Sequence, residues 1–118
     1  MEIKVGNLMP SDNPYSNEVG CGYSLRSSGE SIFEFSAESE IGIIRVNDVL
    51  HRLFERPVKK QKLKGKFMSK WADDEVSLEY RYGIVNSKFE YFVLTEGEMI
   101  IRYKGKSKSF QVSGWCGD

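Results

Sequence analysis

The chain has a single histidine, His51, and only two cysteines, Cys21 and Cys116. Structural zinc sites use four nitrogen or sulfur ligands at close, recognisable spacing, so this scarcity argues against one. No metal and no cofactor is expected. An excess of charge of one sign is missing too, because 17 Lys+Arg balance 17 Asp+Glu. A neutral chain offers no global case for binding nucleic acid or an anionic membrane surface. No apolar run is long enough for a helix to span a bilayer. The opening Met1-Glu2-Ile3-Lys4-Val5 lacks the apolar centre of a signal peptide. The expected location is therefore the cytoplasm, with an exported mature form as the alternative. Glycine-rich phosphate loops, Gly-x-Ser-x-Gly and His-Glu-x-x-His are all absent, as are internal repeats and low-complexity segments.

What is present is alternation. At 118 residues the chain reads as one β domain, 1–118, long enough to bury a core of its own. The stretch 63–112 reads as an antiparallel meander of four strands and a returning fifth. Leu63, Phe67 and Trp71 share one parity, and Lys62, Lys64, Lys66 and Lys70 the other. Period two is the strand signature, so the first set should face a core and the lysines water. Ala72-Asp73-Asp74 supplies a turn. Val76, Leu78, Tyr80 and Tyr82 then share a face. Gly83 and Asn86-Ser87 read as breaks before a strand over 89–95, apolar on both faces. Glu96-Gly97 reads as a tight hairpin, since glycine takes positive φ without steric cost. Met99, Ile101 and Tyr103 follow on one face, Lys104-Gly105-Lys106 turns again, and Phe110 and Val112 return.

The first half is less regular. Ile3 and Val5 fit a short strand. Residues 6–20 are rich in Asn, Pro, Ser and Asp and read as a mobile loop. The segments 21–26 and 31–37 flank a hairpin at Ser27-Ser28-Gly29-Glu30, and 41–46 is a short apolar run. The segment 47–56 has two readings. Val46, Val49, Leu50, Leu53 and Phe54 follow helical spacing, whereas Asn47-Asp48 could turn a hairpin with Val49, His51 and Leu53 on one face. Together the signals predict an all-β domain: an antiparallel barrel or highly curved sheet of about eight to ten strands, with little or no helix.

Three landmarks carry a resemblance: Gly20-Cys21-Gly22-Tyr23-Ser24, Ile43-Ile44-Arg45-Val46-Asn47-Asp48-Val49, and the ending 110–117 with Gly114-Trp115-Cys116-Gly117. The layout resembles a family of small bacterial all-β proteins of unassigned function, with Gly-Cys-Gly early, an Asn-x-Asp-Gly turn mid-chain and Gly-x-Cys-Gly at the end. More distantly it is similar to the C-type lysozyme inhibitors, small antiparallel barrels with a cysteine near each end. This chain has Val49 where the family places glycine, and it lacks the Ser-Gly-x-x-Tyr loop that those inhibitors insert into their target. Inhibition is therefore not carried over. The resemblance favours the hairpin reading of 47–56. It also implies a disulfide between Cys21 and Cys116; the competing reading is two reduced thiols in the cytosol.

Candidate sites follow from residue type and placement. Arg56, Lys59, Lys62, Lys64 and Lys66 form a basic stretch suited to an acidic protein partner, although a solvated or edge-protecting face explains it as well. Nucleic acid ranks low, because the aromatics needed for stacking lie on the opposite face. Trp71, Tyr80, Tyr82, Tyr91 and Tyr103 are candidates to line a pocket for a small apolar ligand. Asp73, Asp74 and Glu75 read as a solvated turn. A cysteine nucleophile with His51 as base and Asp48 orienting it is the remotest option. The leading expectation is a non-catalytic protein that recognises another protein, as an inhibitor or accessory factor. A small-molecule-binding barrel comes second and a cysteine-dependent enzyme third. A homodimer is expected if sheet edges are free.

Overall fold

The computed structural model describes residues 2–15, 18–58, 66–89 and 92–117. Eight antiparallel strands, in chain order, close into a barrel: β1 Gly20–Leu25, β2 Ser31–Ser36, β3 Ile41–Val46, β4 Val49–Arg56, β5 Phe67–Ala72, β6 Val76–Phe89, β7 Phe92–Tyr103 and β8 Lys106–Gly117. Each strand pairs with the next, and β8 returns to pair with β1. The only helical element among the described residues is a single 3-10 turn at Pro10–Asp12. Closure gives every strand a neighbour on both sides, although β5 pairs with β4 only at Phe54 to Arg56.

The tight turns obey local chemistry. Asn47 and Asp48 both take positive φ, 48° and 66°, which is the type I′ geometry that matches strand twist. The hairpin reading of 47–56 therefore holds and the helical one does not. Lys104 and Gly105, at φ 50° and 76°, turn β7 into β8 in the same way. Both turns lie at one pole of the barrel, together with the 26–30 and 73–75 connections. The 37–40 connection, the end of β4 and the start of β5 lie at the other pole.

Five expectations need correction. Glu96-Gly97 is no hairpin, because β7 runs straight through it from Phe92 to Tyr103. Gly97 is instead a close-approach residue: a Cβ there would lie 2.0 Å from the Arg81 carbonyl oxygen. Gly83 and Asn86-Ser87 do not end a strand either. They lie within β6, where the register shifts twice between Ile84 and Phe89. The stretch 63–112 accordingly holds four strands, β5 to β8, rather than five. Phe67 has the core parity but lies at the end of β5 and is exposed. Residues 2–5 form no strand; Val5 makes one bridge to Val46.

The core runs along the barrel axis. Phe33, Ile44, Leu53, Leu78, Met99, Ile101 and Val112 are all within 1% of complete burial. At ~25 cal/mol per Å², burying each such side chain contributes roughly 1.5–3 kcal/mol. The N-terminal segment lies along the outside of β2 and β3. Gly6 N–H donates to Arg45 O at 3.0 Å and Leu8 N–H to Ser31 O at 2.8 Å, and the Asn13 amide reaches Glu34 at 2.9 Å. That cover explains why Ile32 and Ile43, on the outward parity, are buried.

Candidate functional site

At the pole of the 37–40 connection the barrel interior is not filled. A cavity of about 270 Å³, partly open to solvent, lies among the upper ends of the strands. Its walls are the inward-parity residues of β1 and β5 to β8, joined by Phe35 of β2 and Glu55 of β4. Register brings them together. Tyr23 pairs with Gly114, and Gly114 in turn pairs with Thr95. Trp71 pairs with Glu55 on one side and Leu78 on the other, while Tyr80 sits opposite Ser69. Gly114 is required here, since a Cβ would come within 2.6 Å of Thr95 Oγ1 and 2.9 Å of the Tyr23 ring.

The wall is a packed set of rings. Tyr23 meets Tyr80 edge-on at 5.0 Å and Trp71 at 6.1 Å, Phe35 leans on Trp71 at 5.5 Å, and Tyr80 stacks on Tyr82 at 4.8 Å. Such pairs are worth about 0.5–1.5 kcal/mol each beyond burial and hold the wall rigid. The Tyr80 hydroxyl shares a 2.9 Å hydrogen bond with Thr95. Burial raises the Tyr80 phenol, partly offset by that bond. Burial also raises the Tyr23 phenol, helped by Tyr80, Tyr82 and the Glu55 charge. Both phenols therefore stay protonated and act as hydrogen-bonding groups. The Trp71 indole is the exception. Its ring is 3% exposed, and its buried Nε1–H has no hydrogen-bond partner. A buried donor left unmatched costs about 1–3 kcal/mol.

Of the pocket candidates read from the sequence, Trp71, Tyr80 and Tyr82 meet in this cavity. Tyr103 points inward too, but at the opposite pole, where its ring lies 6.1 Å from His51. Tyr91 falls outside the described residues. So do Lys59, Lys62 and Lys64 of the basic stretch; Arg56, at the end of β4, and Lys66, just before β5, are exposed. Tyr23, Phe35, Glu55 and Thr95 were not singled out. Their inward parity is legible, but their meeting depends on closure of β1 onto β8.

Cys21 and Cys116 are register partners across that seam, with Cα atoms 4.1 Å apart, and they form a disulfide that is part of the cavity wall. The disulfide reading holds over the reduced-thiol one. Neither sulfur is a free nucleophile, and both lie at the pole away from His51. His51 bonds Asp73, Nδ1 to Oδ2 at 3.0 Å, not Asp48. This pair bridges a gap, because β5 pairs only with the far end of β4, Phe54 to Arg56. Asp73 also accepts the N–H groups of Glu75 and Val76 at 2.8 and 2.6 Å. Burial pushes the Asp73 carboxyl up, but these bonds and His51 outweigh it and hold it below its usual value. The carboxylate thus caps a turn. Among the described residues no group of three or more His, Cys, Asp or Glu side chains could hold a metal.

No family model matches the chain, and no curated protein or solved structure does so either. The kinship legible in the molecule is architectural: a small eight-stranded antiparallel barrel whose first and last strands are joined by a disulfide.

Proposed function

We propose that the protein is a small-molecule-binding β-barrel whose ligand enters the aromatic cavity at the disulfide-bonded pole. The observation that carries this reading is the partly open hollow of about 270 Å³ walled by Tyr23, Phe35, Trp71, Tyr80 and Tyr82. A preformed aromatic hollow with a few polar groups is the usual form of a ligand site, and eight-stranded barrels have room for one small ligand. A dry apolar cavity of about 150 Å³ takes benzene, so about 270 Å³ suits roughly ten non-hydrogen atoms. The ligand has an apolar body that packs against these rings. It is held and released without chemistry. The Cys21–Cys116 bond supports an oxidising compartment and, with it, an exported protein. The likeness in layout to the small bacterial family and to the lysozyme-inhibitor barrels belongs to this proposal as well.

Trp71 is its own reporter. In a Trp115→Phe variant, titration with acetophenone, a neutral ring bearing an acceptor oxygen, should change Trp71 fluorescence saturably. Native mass spectrometry of unmodified protein purified gently from its host should show an adduct that leaves on denaturation. A response that stays linear across a panel of neutral ketones and alcohols, with no adduct, overturns the reading.

Protein recognition is the second reading, favoured by one feature: the outer face of β4 exposes Phe54, 51% accessible, next in parity to Arg56. Phe54→Ser combined with Arg56→Glu should abolish partner capture without altering the fold. Capture that survives this change would exclude the β4 face.

A further inference from the structure

We infer that the cavity selects a cation: a small ammonium ion with apolar substituents, held between the aromatic rings and the Glu55 carboxylate. The inference rests on the ligand-binding reading and names the chemical class of that ligand.

Among the described residues that line the cavity, Glu55 is the only charged one. It shares inward parity with His51 and Leu53, so β4 delivers it to the mouth of the hollow rather than to the outer face. Across the ladder it stands opposite Trp71. The described ion pairs engage Glu2, Asp12, Asp73, Glu79 and Glu96, but not Glu55. Its charge reaches into the site, because it contributes to the electrostatic environment of the Tyr23 hydroxyl. Glu55 is solvent-exposed, and a carboxylate at the mouth of an apolar hollow repels anions and draws a cation towards the rings.

The rings complete the argument. Tyr23, Trp71 and Phe35 meet at steep angles, 64° and 60°, so they form a cage with faces and edges mixed rather than one flat stack. Aromatic faces carry negative quadrupole charge, and cages of this kind recognise ammonium groups too large and too weakly hydrated to prefer water. The protein uses the same interaction elsewhere: Lys104 lies 5.2 Å from the Tyr103 ring centre and Lys108 5.3 Å from that of Phe110. Among the described residues neither cation–π contact involves a ring of the cavity.

Choline and 3,3-dimethylbutan-1-ol test this directly. They share shape and hydroxyl group and differ only in charge at the branched centre. By calorimetry on the intact, disulfide-bonded protein, choline should bind about tenfold more tightly than the alcohol, or better, as expected for a partly desolvated cation–π site. Glu55→Gln should erase most of that preference and leave the alcohol's affinity unchanged, with the near-ultraviolet circular dichroism of the parent retained. Equal affinity, or a preference for the alcohol, overturns the cation assignment while the cavity reading stands. If choline, the alcohol and acetophenone all fail to bind, the cavity reading fails and the cation assignment goes with it.

Discussion

Replacing both cysteines, Cys21→Ala with Cys116→Ala, should lower stability mainly through the unfolded chain. The bond joins residues 95 apart in sequence, so it restricts nearly the whole barrel in the unfolded state. Chain-entropy arithmetic for a loop of that length gives about 4.7 kcal/mol at 25 °C. The folded seam survives the substitution, because β1 and β8 pair at six positions from Gly20↔Gly117 to Leu25↔Val112. Measured values usually fall below the entropy figure, so the expected loss is about 3–5 kcal/mol. Small domains are stable by only about 5–15 kcal/mol, so the variant should remain folded at room temperature with little reserve. Urea unfolding followed by Trp71 fluorescence measures the effect. With a slope of about 2 kcal/mol per molar, the midpoint should fall by roughly 2 M. The slope itself should rise, since an uncrosslinked unfolded chain exposes more surface. A midpoint shift of a few tenths molar with an unchanged slope would refute the reasoning. So would a variant whose native circular dichroism is lost, because the bond would then be holding the folded seam together.

Other tests address the opposite pole and the close approaches. Asp73→Ala should cost about 1–3 kcal/mol by thermal unfolding, since it leaves His51 Nδ1 buried without its partner; an unchanged melting temperature would deny the bridge any weight. In the parent protein the Asp73 carboxyl is held below its ordinary value of 3.8, so its contribution is complete above that value and is lost as pH falls through the lower folded one. The acid limb of the stability profile should therefore flatten in the variant. For Tyr23 the sign is reversed: its folded phenol is raised above the ordinary 10.0, so stability is full below that pH and falls as pH climbs past it. Tyrosinate absorbance from Tyr23 should appear only with unfolding, as comparison with Tyr23→Phe would reveal. Gly97→Val should destabilise by about 1–3 kcal/mol or more, because its Cβ would strike the β6 backbone at Arg81; a neutral result would mean that β6 and β7 separate there at little cost.

The sequence made parity legible and left position along the barrel illegible. Leu78, Tyr80, Met99, Ile101 and Val112 were assignable to an inner face from alternation alone, because a one-residue slip would turn each of them to water. Asn47-Asp48 and Lys104-Gly105 were legible as turns because type I′ geometry demands residues tolerant of positive φ. Glu96-Gly97 carried the same signal for a different reason: Gly97 serves packing between neighbouring backbones, and nothing local distinguishes the two uses. The pocket list failed at Tyr103 for a related cause. Its parity matches that of Thr95, but eight positions of β7 carry it to the other pole. Which inward residues share a level depends on register between strands, and Tyr23 reaches Thr95 only through Gly114 of the last strand.

The distribution of side-chain size explains why one pole is filled and the other hollow. From mid-barrel towards the tight turns, inward positions carry branched or long side chains, Ile44, Leu53, Leu78, Met99 and Ile101, each buried to within 1%. Towards the disulfide, large rings alternate with small residues: Tyr80 faces Ser69, and Tyr23 faces Gly114, next to the Cys21–Cys116 pair. Small residues beside rigid rings leave space that the rings cannot turn to fill, because each is held by its neighbours at 4.8 to 6.1 Å. The same pole has unequal strands, with 6 residues in β5 against 14 in β6, so one wall rises above the other and Ile84 and Val93 stand over the opening. A hollow at that end would weaken a seam held by pairing alone, since cavity walls lose packing contacts. The disulfide sits at that level of the seam, and by restricting the unfolded chain it offsets in overall stability the packing lost around the cavity.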